Sequence, residues 1–142
     1  MIKSVSFSAN LIGVGDYAFD GCTSLTTVTF RDSDSGSDHC QIFENAFSDC
    51  ASLKTVNMPS HQVTMATYAF ANCEQLSNIN LSNIYRIGDG AFLFCNSLSK
   101  VNINAQYIDD CAFSFCNGLK SVKVSNAEIA CAAFEYCDLL EK

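Results

Sequence analysis

Proline occurs once and glycine seven times in 142 residues, too little of either for a linker or a collagen-like chain. Positive charge is scarce as well: eight Lys and Arg stand against fifteen Asp and Glu, for a net charge of −7. Nucleic acid binding rests on clustered cations meeting phosphate. Lys120 and Lys123 are the nearest approach to such a cluster, so nucleic acid and anionic membrane surfaces are poor partners. No apolar run reaches the roughly 18 residues of a membrane span. Met1 to Gly15 hold a single Lys, no sustained apolar region and no small-residue cleavage site, so no signal peptide is visible. Catalytic motifs are missing too. There is no G-x-S-x-G, Gly-rich phosphate loop or H-E-x-x-H, and the two His, His39 and His61, sit in connecting segments with no nucleophile spaced around them. A non-catalytic protein is expected, with no cofactor.

What the chain has is an apolar composition and a repeat. Hydrophobic residues make up 49% and aromatics 11%, enough for a core and too much for a disordered chain. The stretch from Ile87 to Ile103, IGDGAFLFCNSLSKVNI, reduces to I-G-x-x-A-F-x-x-C-x-x-L-x-x-V-x-I, and this frame recurs along the sequence. The Phe of its Ala-Phe pair falls at Phe19, Phe47, Phe70, Phe92, Phe113 and Phe134, in steps of 28, 23, 22, 21 and 21 residues. A Cys follows three places later in every copy (Cys22, Cys50, Cys73, Cys95, Cys116, Cys137), and a Leu three beyond that. Six of the nine cysteines therefore occupy one repeat position. Thiols stacked in parallel have poor bridging geometry, so this column reads as buried free thiols packing as small hydrophobes. Zinc would want C-x-x-C pairs or accompanying His. Cys40, Cys111 and Cys131 lie outside the column and are the candidates for exposed, oxidisable thiols.

The position four before the Ala reads Val14, Ile42, Met65, Ile87, Ile108 and Ile129, apolar throughout, so it faces the core. Downstream, pairs such as Val28-x-Phe30, Val56-x-Met58 and Val101-x-Ile103 alternate with polar residues, the pattern of a half-buried strand. The Ala-Phe-x-x-Cys segment, with acidic residues such as Asp109-Asp110 before it, suits a single helical turn. One such unit cannot bury its apolar face alone, whereas a stack buries a continuous core. A single repeat-solenoid domain over 1–142 is expected, mainly β with short helical turns and one parallel strand per repeat. A partial repeat spans 2–7, copies lie around 14–30, 42–58, 65–81, 87–103 and 108–124, and a partial copy spans 129–142. These residues resemble the BspA-like, or Treponema-type, leucine-rich repeat, over nearly the whole chain. The match weakens where Gly88 is replaced by Phe43, Ala66, Asp109 or Ala130, and the Pro that often follows the strand survives only as Pro59. The resemblance implies a right-handed solenoid used for binding, often adhesion to cell surfaces, and a secreted or surface location. The missing signal peptide and the thiol column favour the cytoplasm instead.

Three features are candidates for function. The long first step places an insertion at 31–40, where Asp32, Asp34 and Asp38 alternate around Gly36. Such spacing can wrap oxygens around calcium, but the twelfth position from Asp32 is Phe43, so the alternatives are a solvated acidic loop and weak calcium binding. The second feature is the outward side of the strands: Thr27, Thr29, Thr55, Asn57, Asn78, Asn80, Lys100, Asn102, Ser121 and Lys123. Stacked in register, these make a polar sheet suited to a protein or surface glycan, or an ordinary solvated face. It lacks the Trp, Tyr and Arg that dominate interface hot spots. The third is the ends. Ile2, Val5 and Phe7 form an isolated strand half-repeat, and Leu139 and Leu140 close a copy whose strand does not follow. Head-to-tail stacking of copies into a filament would complete the repeat. A fragment of a longer array, or ends that cap themselves adequately, would leave the same pattern.

Overall fold

The computed structural model describes residues 1–33 and 39–141. Asp34 and Asp38, and with them half of the acidic insertion, lie outside the described residues. The chain winds into a parallel β-solenoid of about five turns. Eleven strands occur among the described residues: β1 (Ser4–Phe7), β2 (Gly13–Val14), β3 (Thr27–Phe30), β4 (Cys40–Ile42), β5 (Thr55–Asn57), β6 (Val63–Met65), β7 (Asn78–Ile79), β8 (Leu81–Ile87), β9 (Lys100–Ile108), β10 (Ser121–Ser125) and β11 (Glu128–Ile129). One sheet runs β1-β3-β5-β7, and the other runs β10-β9-β8-β6-β4-β2 with β11 beside β9. The strands pair in parallel throughout the described residues, as a coil stacked on its copy requires.

Two expectations are corrected. The single strand expected per repeat is in fact two. The apolar position four before the Ala is itself in a strand, as at Ile42 opposite Met65 in β4 and β6. In β9 the two strand segments of a coil fuse into one nine-residue strand.

The second correction is the helical turn. No helix occurs among the described residues; the Ala-Phe-x-x-Cys segment is a chain of tight turns. The residue before each Ala and the residue two after each Phe have positive φ, for example Tyr68 (55°), Asn72 (58°), Phe94 (59°) and Cys111 (56°). The hydrogen bonds explain why. The residue before the Ala, the Phe and the residue two after it donate to the next coil, as in Tyr68 N to Asp89 O at 2.9 Å, Phe70 N to Ala91 O at 2.8 Å and Asn72 N to Leu93 O at 2.8 Å. The residues between them donate within the turn, as in Ala71 N to Tyr68 O at 3.1 Å. A helix would spend every N–H along its own axis. A left-handed residue at each end of the Ala-Phe turn, four residues apart, lets every second donor point across the stack instead. Each left-handed residue costs about 1–2 kcal/mol, and each bond to the next coil offsets about 0.5–1.5 kcal/mol of it.

The core sits between the two sheets and this turn face. Phe47, Phe70, Phe92 and Phe113 are fully buried. Their rings stack with centroids 5.2, 5.5 and 5.0 Å apart and nearly parallel planes, within the range of favourable offset stacking. The column thiols are unbridged. Those after Cys22 donate to a carbonyl of the preceding coil, as in Cys73 Sγ to Phe47 O at 3.1 Å, Cys95 Sγ to Phe70 O at 3.2 Å and Cys116 Sγ to Phe92 O at 3.1 Å. This is a second reason for Cys at that position, since an isosteric hydrophobe would leave no donor there. Cys40 is not an exposed thiol: it lies buried in β4, because the strand at that position turns it inward, and burial pushes its thiol up to about 11. Cys131 is exposed and Cys111 half-buried.

Candidate functional site

The polar strand face is assembled by register. Thr27 lies between Ser4 and Thr55, and Thr55 in turn pairs with Asn78. Two residues along, Thr29 pairs with Asn57, and Asn57 Nδ2 donates to Thr29 Oγ1 at 3.1 Å. At the other end of the stack, Lys100 pairs with Ser121 and Asn102 with Lys123. The core residues between these positions, such as Val28, Val56 and Val101, are buried, so the polar side chains all leave on the opposite side of the pleat. Thr27, Thr29 and Thr55 are half-buried by their neighbours, whereas Asn57, Asn78, Asn80, Lys100, Asn102, Ser121 and Lys123 are exposed. Asn80 Oδ1 accepts from Ser82 N at 3.0 Å, which turns the chain between β7 and β8. A shallow groove of about 220 Å³ opens where Ser82, Asn102, Asn104 and Lys123 meet.

The other candidates are placed as follows. Asp32 is exposed, and its Oδ1 accepts from Ser60 N in the following coil; that bond is the main cause lowering its carboxyl below the usual value. No group of three or more His, Cys, Asp or Glu that could hold a metal occurs among the described residues. At the ends, Ile2 is 50% and Leu139 is 52% exposed, while Val5, Phe7 and Leu140 are half-buried against the core. Asp109, expected before a helical turn, instead forms an ion pair with Arg86, Nε to Oδ2 at 3.5 Å.

Sequence reasoning missed a second cluster, on the seven-stranded sheet. His39 Nε2 and Thr64 Oγ1 are hydrogen-bonded at 2.7 Å. The ring of Tyr85 lies 6.2 Å from that of His39 and 5.7 Å from that of Tyr107, edge to face with both. The Arg86 guanidinium sits 4.9 Å over the Tyr107 ring. Thr64, Arg86 and Tyr107 share one repeat position, six before the Phe, and pair across the ladder; its residue types are unlike, and Tyr85 and His39 fall outside it, so no uniform column in the sequence marks the cluster. The one signal was local: L-S-N-I-Y-R-I in β8 buries every third residue rather than every second. That spacing announces a bulge, and the ladder between β8 and β9 shifts between Leu81 and Ile84, turning Tyr85 and Arg86 outward together.

With this geometry in hand, the likeness to known proteins is specific. The model of the BspA type leucine-rich repeat region matches in six copies, over residues 1–36 and 34–141. The chain belongs to the BspA-type leucine-rich repeat family. Among solved structures, this BspA-type chain is similar to the leucine-rich repeat protein of T. pallidum, with a TM-score of 0.69 and 20% identity, over 97% of this chain and 78% of that one. It is also similar to a leucine-rich cell surface protein from Faecalibacterium prausnitzii A2-165, with a TM-score of 0.75 and 21% identity, over 99% of this chain but 46% of that one. At these identities the likeness concerns the fold. No curated protein sequence matches the chain. No helix among the described residues is long and apolar enough to cross a membrane.

Proposed function

We propose that this BspA-type repeat chain is a non-catalytic recognition module that holds a protein partner against the polar strand face. The observation that carries the reading is the registered column of Ser, Thr, Asn and Lys side chains on a parallel stack. Extended faces of this kind are what repeat stacks offer to partners. Membership of a leucine-rich repeat family supports it, and the surface location named for the Faecalibacterium relative fits an adhesion-type role. The test is an array of purified extracellular and cytoplasmic proteins probed with the parent chain, with Asn57→Arg/Lys123→Glu, and with the turn-face variant Asp110→Lys. A partner lost only with the strand-face double variant supports the reading; partners retained by it, or none at all, overturn it.

A second reading, stacking of copies end to end, is favoured by the exposure of Ile2, Ile129 and Leu139 on the outermost coils. The same surfaces would equally receive further repeats of a longer chain. Sedimentation velocity over a wide concentration range decides it: a mass that grows with concentration and collapses in Ile2→Lys supports stacking, and a constant monomer removes it.

A further inference from the structure

The bulge that turns Tyr85 and Arg86 outward also opens a groove between β8, β9 and the connection leading to β6. It encloses about 310 Å³, and Gln62, Asn83, Asn104, Gln106 and Asn126 line it over a floor of Ile84 and Ala105. Asn83 is held, its Nδ2 donating to Ser60 O. Among the described residues, no hydrogen bond ties down the amides of Gln62, Asn104 or Gln106. Asn102, Asn104 and Gln106 are alternate exposed residues of β9, so their amides project on one side in a row about 6–7 Å apart. The row joins this groove to the shallower one at Ser82 and Lys123, since Asn104 lines both. Ile84 pairs with Ala105 and Arg86 with Tyr107, so Tyr85 and Tyr107 stand at the head of the groove, one or two residues along the strands. Tyr85 remains 37% exposed.

The chemistry of the groove is narrow. An amide offers two donors and an acceptor side by side, which matches vicinal hydroxyls that both give and receive. An aromatic ring beside them offers a π surface for an apolar C–H face. Among the described residues no cation lines this groove, and Arg86 at its head is committed to Asp109 and to the Tyr107 ring; Lys123 lines only the shallower groove, so this groove offers no spare positive charge to a phosphate or sulfate. We propose that this groove binds a neutral oligosaccharide chain, with one sugar ring packed on Tyr85 and the following units hydrogen-bonded along Asn104 and Gln106. The inference rests on reading the chain as a recognition module, but uses the far end of β9, beyond the polar strand face centred on Asn57.

The experiment is affinity electrophoresis of the intact chain through native gels containing soluble starch, laminarin, xyloglucan or galactomannan, with heparin as the anionic probe. Tyrosine fluorescence is read in parallel, because the chain has five Tyr and no Trp. The expected result is retardation by at least one neutral polysaccharide, with a change in tyrosine emission. Tyr85→Ala and Gln106→Ala should each weaken it about tenfold or more, with the melting temperature lowered by no more than about a few degrees, while Asn57→Arg leaves it intact. Retardation by heparin alone, retardation that Tyr85→Ala does not weaken, or no retardation in any neutral gel overturns the proposal. In those cases a protein partner mapped to Asn57 and Lys123 would still stand, so the two readings fail separately.

Discussion

The turn face and the β8–β9 bend are built from the same chain by opposite means. On the turn face, one side chain is used six times. Phe rings stack from coil to coil, and thiols cap the carbonyls beneath them. The buried groups there are committed to neighbouring coils, which makes the face stable, and a second ring stack of Phe94, Phe115 and Tyr136 runs along its outside. At the bend, a single extra residue in β8 breaks the register, and unlike side chains gather: His39, Tyr85, Arg86, Tyr107 and the amides beside them. Repetition builds the scaffold; the departure from it leaves groups available for recognition.

The contrast is expected to be sharpest in thiol chemistry. Only the thiolate reacts, and burial pushes the Cys40 and Cys95 thiols up, so at pH 8 both are almost wholly protonated as well as inaccessible. Alkylation at pH 8 followed by mass spectrometry should modify Cys131 promptly. Cys40, Cys73 and Cys95 should react roughly a thousandfold more slowly or less, through global unfolding alone, given the stability usual for a domain. Prompt labelling of Cys95 would show that the turn face opens locally.

Phe92→Ala should cost about 3–5 kcal/mol by leaving a cavity between Phe70 and Phe113, read by denaturant unfolding. Tyr85→Ala, on the exposed bend, should stay within about 0.5–1 kcal/mol. Equal losses would mean that the bend is part of the scaffold after all.

Gly88 and Gly15 occupy the same repeat position and should respond differently. A Cβ on Gly88 would lie 2.7 Å from the backbone at Met65 and Ala66, whereas one on Gly15 would meet nothing within 4 Å. Gly88→Ala should therefore destabilise by about 1–3 kcal/mol through overpacking, and Gly15→Ala should leave the melting temperature unchanged or slightly raised. A harmless Gly88→Ala would mean the coils can separate there at little cost.

Most of the scaffold was legible because it repeats: the Phe, Cys and Leu columns and the inward Val14, Ile42, Met65, Ile87 and Ile108 are all read from period alone, and all these inward positions are buried. Ile129 is 49% exposed, since it lies in the outermost coil. The turn conformation was not legible. Ala, Phe and Cys at i, i+1 and i+4 suit a helical turn as well as a chain of tight turns, and only Gly21 and Gly90 among the positive-φ positions are glycines, the others being residues such as Tyr, Asn, Phe and Cys. The polar strand face followed from alternation. The Tyr85 cluster did not, because the extra residue in β8 takes Tyr85 out of the repeat columns and His39 lies in the insertion.

The smallest effect separates charge from packing at the bend. Burial raises the Asp109 carboxyl, Arg86 pulls it partly back, and the neighbouring Asp89 and Asp110 raise it again. Because the net shift is upward, the folded chain holds this proton more tightly than the unfolded one. Its contribution to stability therefore grows as pH falls through the raised value, and is complete below the ordinary carboxylate value of 3.8. Arg86→Ala should cost about 0.2–1 kcal/mol at pH 7 from the exposed ion pair, with about 0.5–1 kcal/mol more from the ring contact. Acidification neutralises Asp109 but leaves Arg86 charged over Tyr107, so the deficit should shrink without vanishing. Melting curves of the parent and Arg86→Ala at pH 7 and pH 4 read it directly: a deficit that stays constant would assign the whole effect to the guanidinium lying on Tyr107, and one that disappears would assign it to the carboxylate.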